Sequence, residues 1–203
     1  MAVMNIWFAS NNAHKKEELQ AILKTTLKIP SAEGLSFDPE ETGNTFYDNA
    51  LIKARALKSL LVSSGNPNDI VIADDSGLCV DGLAGRPGVQ SAYYAFENGK
   101  KITSTEQNIM LLDELGDNPV RSARFVCCMV LLFDNDRFYI IQETLEGQIV
   151  KKTEMRGGGG FGYDPIFLLP QFNRTLAEVS AEDKNSLSHR GKAGKQLARF
   201  LIN

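Results

Sequence analysis

The chain is poor in the residues that build disulfide scaffolds and soft metal centres. Its 203 residues hold three cysteines and two histidines. Cys79, Cys127 and Cys128 are an odd set inside apolar runs, so they are expected to be small buried hydrophobes of a reducing cytoplasm. Neighbours such as Cys127 and Cys128 point to opposite faces of a strand and make a poor metal pair. Long apolar runs are missing too. The longest, from Phe125 to Phe133, has nine residues, against roughly 20 for a membrane-spanning helix. Residues 1–10 carry neither a basic region nor a cleavage site, so no secretory leader is expected. Charge of one sign is not in excess: 22 basic against 25 acidic residues leave −3. That balance gives no reason to expect a nucleic-acid polymer as partner. No repeat, charge block or low-complexity linker divides the chain.

What is present reads as α/β organisation in one domain, 1–203, of bilobed size. Residues 3–9 form an expected first strand. Asn11 or Asn12 can cap a helix reaching about Leu27, with Leu19, Ile22 and Leu23 on one face. A loop rich in Gly, Pro and acid follows. A second helix is expected from about Thr45 to Val62, because Phe46, Ala50, Ala54, Leu57 and Leu61 recur at steps of three and four. The apolar run Ile70-Val71-Ile72-Ala73 predicts a buried strand ending on Asp74 and Asp75. A third helix is expected to start at Ser104, with Gln107 completing a capping box. Residues 121–133 and 138–144 flank Asn135-Asp136, a hairpin turn signal, and a further strand is expected over 148–153. The stretch after Ser188 reads as a helix with Ala193, Leu197, Phe200 and Leu201 on its core face. Early crossover units and a late antiparallel part predict a mixed sheet.

Five pieces carry possible chemistry. Asp74 and Asp75 repel each other and lose hydration where the strand is expected to stop, a position where α/β proteins place ligand sites. Glu40 and Glu41 occupy the loop before the second helix. Carboxylates converging from two loops suit Mg²⁺, a hard cation that takes oxygen ligands, and a divalent ion would relieve the repulsion. The plain alternative pairs Asp74 with a basic group or has it cap a turn, and leaves Asp75 solvated. Next, "SNNAHK", Ser10 to Lys15, follows the first strand. Its turn offers backbone N–H groups and a helix N-terminus to phosphate, and Lys15 adds a full charge; many helices, however, begin with Asn and carry surface lysines. Lys53 lies beside the apolar stripe of the second helix. It either snorkels to solvent or reaches a phosphate near the strand tip. In "GGGGFGYD", the aromatic faces of Phe161 and Tyr163 suit a nucleobase, and a flexible loop with one core aromatic is the alternative. Lastly, Lys184, His189, Arg190 and Lys192 form a basic cluster, otherwise a solvated face. His14 reads as surface.

In this order the chain resembles the inosine/xanthosine triphosphate pyrophosphatases, on "SNNAHK", "EETGNTFYDNALIKA", "ADDSGLCVDGLAGRPGVQSA", "GGFGYDPIF" and "SHRGKA", which span residues 10–193. The resemblance implies an elongated mixed β-sheet with flanking helices, two lobes around a central cleft, and a cytoplasmic homodimer. It implies Mg²⁺-dependent hydrolysis of ITP, dITP and XTP to the monophosphate and pyrophosphate. Ser10, Asn11, Asn12, Ala13, His14 and Lys15 would hold the triphosphate. Glu40 or Glu41, with Asp75, would bind Mg²⁺. Asp75 would also accept a proton, and Lys53 would contact phosphate. Ser76 would lie at the substrate, and Phe161, Gly162, Tyr163, Asp164, Lys184, His189 and Arg190 would form the base pocket. Many relatives have Gly where this chain has Asn11, and a basic residue where it has Tyr93. A related pyrophosphatase of modified pyrimidine triphosphates and a non-catalytic nucleotide sensor are the competing expectations.

Overall fold

A computed structural model describes residues 4–94, 102–134, 137–156 and 162–201. The expected turn at Asn135-Asp136 and the expected base contact Phe161 lie outside the described residues. Among the described residues six strands form one sheet in the order β1 (Ile6–Phe8), β2 (Ile70–Val80), β3 (Ser122–Leu132), β4 (Phe138–Ile149), β5 (Phe167–Leu169) and β6 (Arg174–Thr175). β1 runs parallel to β2, with Phe8 opposite Ile72, whereas β4–β5 and β5–β6 are antiparallel. The sheet is therefore mixed, as expected. The described residues also form the α-helices α1 (Ala13–Leu23), α2 (Phe46–Ser63), α3 (Ser104–Leu115), α4 (Ala181–Leu187) and α5 (His189–Ala198).

The chain divides into two compact units. The first takes Met1–Asp75, Cys127–Glu143 and His189–Asn203. Its strands alternate strictly, as a pleat requires. Phe8, Ile70 and Ile72 pack with Leu19 of α1 and with Ala193 and Leu197 of α5. Trp7, Ala9, Val71 and Ala73 face the other way, onto Ala50, Ala54, Leu57 and Leu61 of α2. The second unit takes Ser76–Val126 and Thr144–Ser188. Its core joins Leu78 and Val80 to Leu111, Leu112 and Leu115 of α3 and to Phe167 and Leu169 of β5. Cys79, Cys127 and Cys128 are free and buried.

Several elements depart from expectation, each for a local reason. α1 stops at Leu23, because Lys24 turns left-handed with φ 52°. Residues near Leu27 run instead beside β1, where the Phe8 N–H donates to Lys28 O at 2.8 Å. α2 matches closely, with Thr45 as its cap: the Thr45 hydroxyl accepts from the Asp48 N–H at 3.1 Å. α3 begins at Ser104, but its capping box is Thr103 with Glu106 rather than Ser104 with Gln107. The two strands expected over 138–144 and 148–153 are one strand, β4. The C-terminal helix begins at His189, directly after the expected cap Ser188, which is extended and also ends the separate helix α4. Phe200, placed on the core face by its spacing, is 37% exposed and stacks on Tyr139.

The departure that matters most is in β2. The acid pair does not end the strand. β2 continues through Asp74 and Asp75 to Val80, and both acids are buried within it.

Candidate active site

The pleat decides where the two acids go. Asp74 continues the row Ile70, Ile72 and so faces α1 and α5. Asp75 continues the row Val71, Ala73 and so faces α2. Adjacent carboxylates are thus sent to opposite faces, and each meets its own cations. That removes the repulsion without requiring an ion for Asp74.

Asp74 is 1% exposed. Lys15, one turn into α1, places its ammonium 3.1 Å from it. Arg190 of α5 donates to it from Nη2 at 3.1 Å and from Nε at 3.4 Å, while Arg190 Nη1 donates to Glu18 at 2.7 Å. Burial opposes ionisation of Asp74, but Lys15, Arg190 and Lys53 outweigh it and hold the carboxyl well below the usual range. Burial likewise opposes charge on Arg190, and Asp74 and Glu18 overcome it, raising its pKa further. Lys15 and Glu18 share one face of α1 because they are three residues apart. The plain alternative for Asp74, pairing with basic groups, is what the structure shows.

Asp75 has a different setting. The Lys53 ammonium lies 3.5 Å from Asp75 Oδ1 and 3.0 Å from Glu41 Oε2. The Asn49 amide donates to Asp75 Oδ2 at 3.2 Å, and Asn49 Oδ1 accepts the Gly43 N–H at 2.8 Å. Burial raises the Asp75 pKa; Lys53 opposes that, and Glu41 adds to it. Lys53 itself is desolvated, yet Asp75, Asp74 and Glu41 together raise its pKa. It does not snorkel: it is 8% exposed. Glu40 is exposed, and the carboxylate that meets Lys53 belongs to Glu41.

The donor set fits a hard divalent ion. Two carboxylates, Glu41 and Asp75, already converge on one cation, the Lys53 ammonium, and both offer only oxygen. Among the described residues no group of three or more His, Cys, Asp or Glu could hold a metal. Two carboxylates suit Mg²⁺, which keeps several waters and shares its shell with substrate phosphates.

The turn before α1 is tightly organised. Asn12 caps the helix, its Oδ1 accepting the Lys15 N–H at 3.1 Å, and the Asn12 N–H donates to the Ser10 hydroxyl at 3.2 Å. Asn11 donates to Phe37 O at 2.7 Å and accepts from the Ser31 N–H at 3.2 Å. Ala13 and His14 are exposed at the helix start.

The remaining expected residues lie elsewhere. Ser76 is half-buried in β2 as the first residue of the second unit. In that unit Asp164 is buried, and Lys184 donates to it at 2.5 Å. The Asn108 amide donates to Gly162 O at 3.1 Å. Tyr163 is a core residue rather than an open stacking face: it is 5% exposed, and its hydroxyl donates to Ser91 O at 2.8 Å. His189 and Arg190 are buried in the first unit, so the basic cluster is not a solvated face. Glu18 and Asn49 were not singled out from the sequence. Their signal was spacing: Glu18 lies one turn after Lys15, and Asn49 one turn before Lys53.

Known proteins are similar to this chain over nearly its whole length. The sequence model of the Ham1 family matches residues 6–200. A dITP/XTP pyrophosphatase of Treponema denticola is 48% identical over 199 residues, covering 98% of both chains. One from Clostridium perfringens is 41% identical over 192 residues, covering 93% of both. The solved Ham1 protein of Staphylococcus aureus superposes with a TM-score of 0.84 at 38% identity, over 97% of both chains. A HAM1 protein of Coxiella burnetii gives 0.83 at 37% identity, over 98% of both. This chain therefore belongs to the Ham1 family.

Proposed function

We propose that the protein hydrolyses non-standard purine nucleoside triphosphates, the ITP, dITP and XTP class, to the nucleoside monophosphate and pyrophosphate. The observation that carries the reading is the meeting of Glu41, Lys53 and the buried Asp75 on one face of β2. Curated relatives named dITP/XTP pyrophosphatase support the substrate class. The Ser10–Lys15 turn and the Lys15 and Lys53 ammoniums would bind phosphate oxygens. Glu41 and Asp75 would hold Mg²⁺, with Glu40 as the alternative ligand beside Glu41. Bound Mg²⁺ supplies charge neutralisation on the phosphate oxygens. Asp75 would take a proton from the attacking water. Water oxygen bonds to the α-phosphorus, the bond to the bridging oxygen breaks, and pyrophosphate leaves with those electrons.

Ser76 would lie at the substrate, and the resemblance assigns base recognition to Phe161, Gly162, Asp164, Lys184, His189 and Arg190, with Tyr163, buried as it is, supporting rather than stacking. A C6 carbonyl accepts hydrogen bonds where adenine donates them, so donors left without partners by adenine would each cost about 1–3 kcal/mol. Lys184 is paired with Asp164, and Arg190 with Asp74 and Glu18. Each would serve the base only with donor capacity beyond those pairs. A cytoplasmic homodimer is the setting that goes with this reading.

Product analysis with ITP and Mg²⁺ tests it. The expected result is stoichiometric pyrophosphate, with ATP turned over far more slowly. Orthophosphate as the product, or equal kcat/KM for ITP and ATP, refutes it. Asp75→Asn is expected to lose about 10²–10⁴-fold in kcat, the contribution of a general base, with an unchanged melting temperature. Near-normal turnover removes Asp75 from its role.

A further inference from the structure

We infer that Asn49 is a positioning residue that locks Asp75 and the Glu41 loop into one divalent-cation site. The inference rests on the proposed metal-binding reading of Glu41 and Asp75, and goes beyond it by naming what holds them in place. Asn49 is 2% exposed in α2, a polar side chain in the midst of a buried helical face. Its amide makes two directed contacts of opposite sense. Oδ1 accepts the Gly43 N–H at 2.8 Å, and Nδ2 donates to Asp75 Oδ2 at 3.2 Å.

The first contact sets the second. An amide whose oxygen is held by a backbone N–H must turn its NH₂ group the other way, here toward the carboxylate. Asp75 then has one oxygen oriented by Asn49, while the other lies nearest Lys53. The same Gly43 contact tethers the acidic loop two residues after Glu41. One side chain thereby fixes both candidate ligands, which come from segments far apart in sequence. Partners that orient metal-binding carboxylates in this way commonly affect metal affinity about 10–100-fold.

Gly43 is part of the device. A Cβ at position 43 would stand 2.6 Å from Asn49 Oδ1, 2.9 Å from the Asn49 N and 2.5 Å from Asp48 Cβ. Only a residue without a side chain lets the loop approach α2 closely enough for this hydrogen bond. Gly43→Ala therefore disturbs the lock from the loop side while leaving Asn49 itself in the chain.

Calorimetric titration of the nucleotide-free protein with Mn²⁺, a probe for the Mg²⁺ site, provides the test. It is run on wild type, Asn49→Ala, Gly43→Ala and Asp75→Asn, each with its thermal melt. The expected result is at least tenfold weaker Mn²⁺ binding in Asn49→Ala and Gly43→Ala. In turnover assays, raising Mg²⁺ is expected to restore kcat in Asn49→Ala, a rescue that a merely structural defect does not give. If Asn49→Ala does not fold, Gly43→Ala carries the same comparison. Wild-type Mn²⁺ affinity in the folded lock variants, with binding lost in Asp75→Asn, overturns the role of Asn49 and leaves the metal site standing. Wild-type affinity in Asp75→Asn as well overturns the metal site, and the inference falls with it.

Discussion

Asp69 shows how single groups hold the frame around the candidate site. Its carboxylate is 5% exposed and accepts from Trp7 Nε1 at 2.8 Å and from the Asn5 N–H at 3.0 Å. Its backbone oxygen accepts from Lys58 at 2.6 Å. Burial opposes ionisation of Asp69, but the Asn5 and Trp7 hydrogen bonds outweigh it and lower the pKa. A depressed folded pKa means that the stabilisation is fully present above the ordinary carboxylate value of about 3.9. It is lost as pH falls through the folded value. Asp69→Asn is therefore expected to lower stability at pH 7 by about 1.5–3 kcal/mol, the worth of a hydrogen bond to a charged group. Its stability should also fall less steeply than wild type below pH 4, which urea unfolding at a series of pH values measures. Residue types at the site were legible from the sequence, since a lysine after a polar turn and a lysine beside an apolar stripe both stood out. Their partners were not. Glu18 and Asn49 look like ordinary helical polar residues until the fold shows which face they share.

Among the elements, α2 was the most legible and β2 the least. The stripe of α2 repeats at helical steps and Thr45 is a strong cap, so local sequence determined its limits almost completely. β2 was cut short because two carboxylates in a buried strand violate local expectation. They are tolerated only through partners distant in sequence: Lys15 lies 59 residues from Asp74, and Arg190 lies 116 residues away. β4 was split for a related reason. Gly147 weakens the strand pattern, yet it sits within β4 and lets Phe167 of β5 lie against the backbone. A Cβ there would meet the Phe167 ring at 2.5 Å and Leu168 O at 2.6 Å. Gly147→Ala is expected to destabilise the second unit by about 1–3 kcal/mol, the usual cost of overpacking. A chemical denaturation curve reads the change, and a wild-type midpoint would show that the β4–β5 contact is loose.

Across the whole molecule, each unit is assembled from separate stretches of chain. The first unit combines Met1–Asp75 with Cys127–Glu143 and His189–Asn203. α5 supplies it with Ala193 and Leu197, both fully buried, and with Arg190. Removing residues 189–203 leaves buried Asp74 with Lys15 but without its guanidinium. Breaking a buried pair costs about 3–5 kcal/mol, and losing the burial of Leu197 adds about 1.5–3 kcal/mol. Against a typical total of 5–15 kcal/mol, that loss is enough to unfold the first unit. The truncated chain is expected to lose amide-exchange protection in β1 and α1, and retained protection there would contradict this account. Sequence patterning could place helices and strands but not this discontinuous assembly, because the bonds that define it are long-range. The same separation has a consequence for biosynthesis. A ribosome adding about 5–20 residues per second delivers Arg190 some 6–23 s after Asp74. Throughout that interval the nascent polypeptide carries an acid whose lysine partner is already made but whose guanidinium partner has not yet been translated.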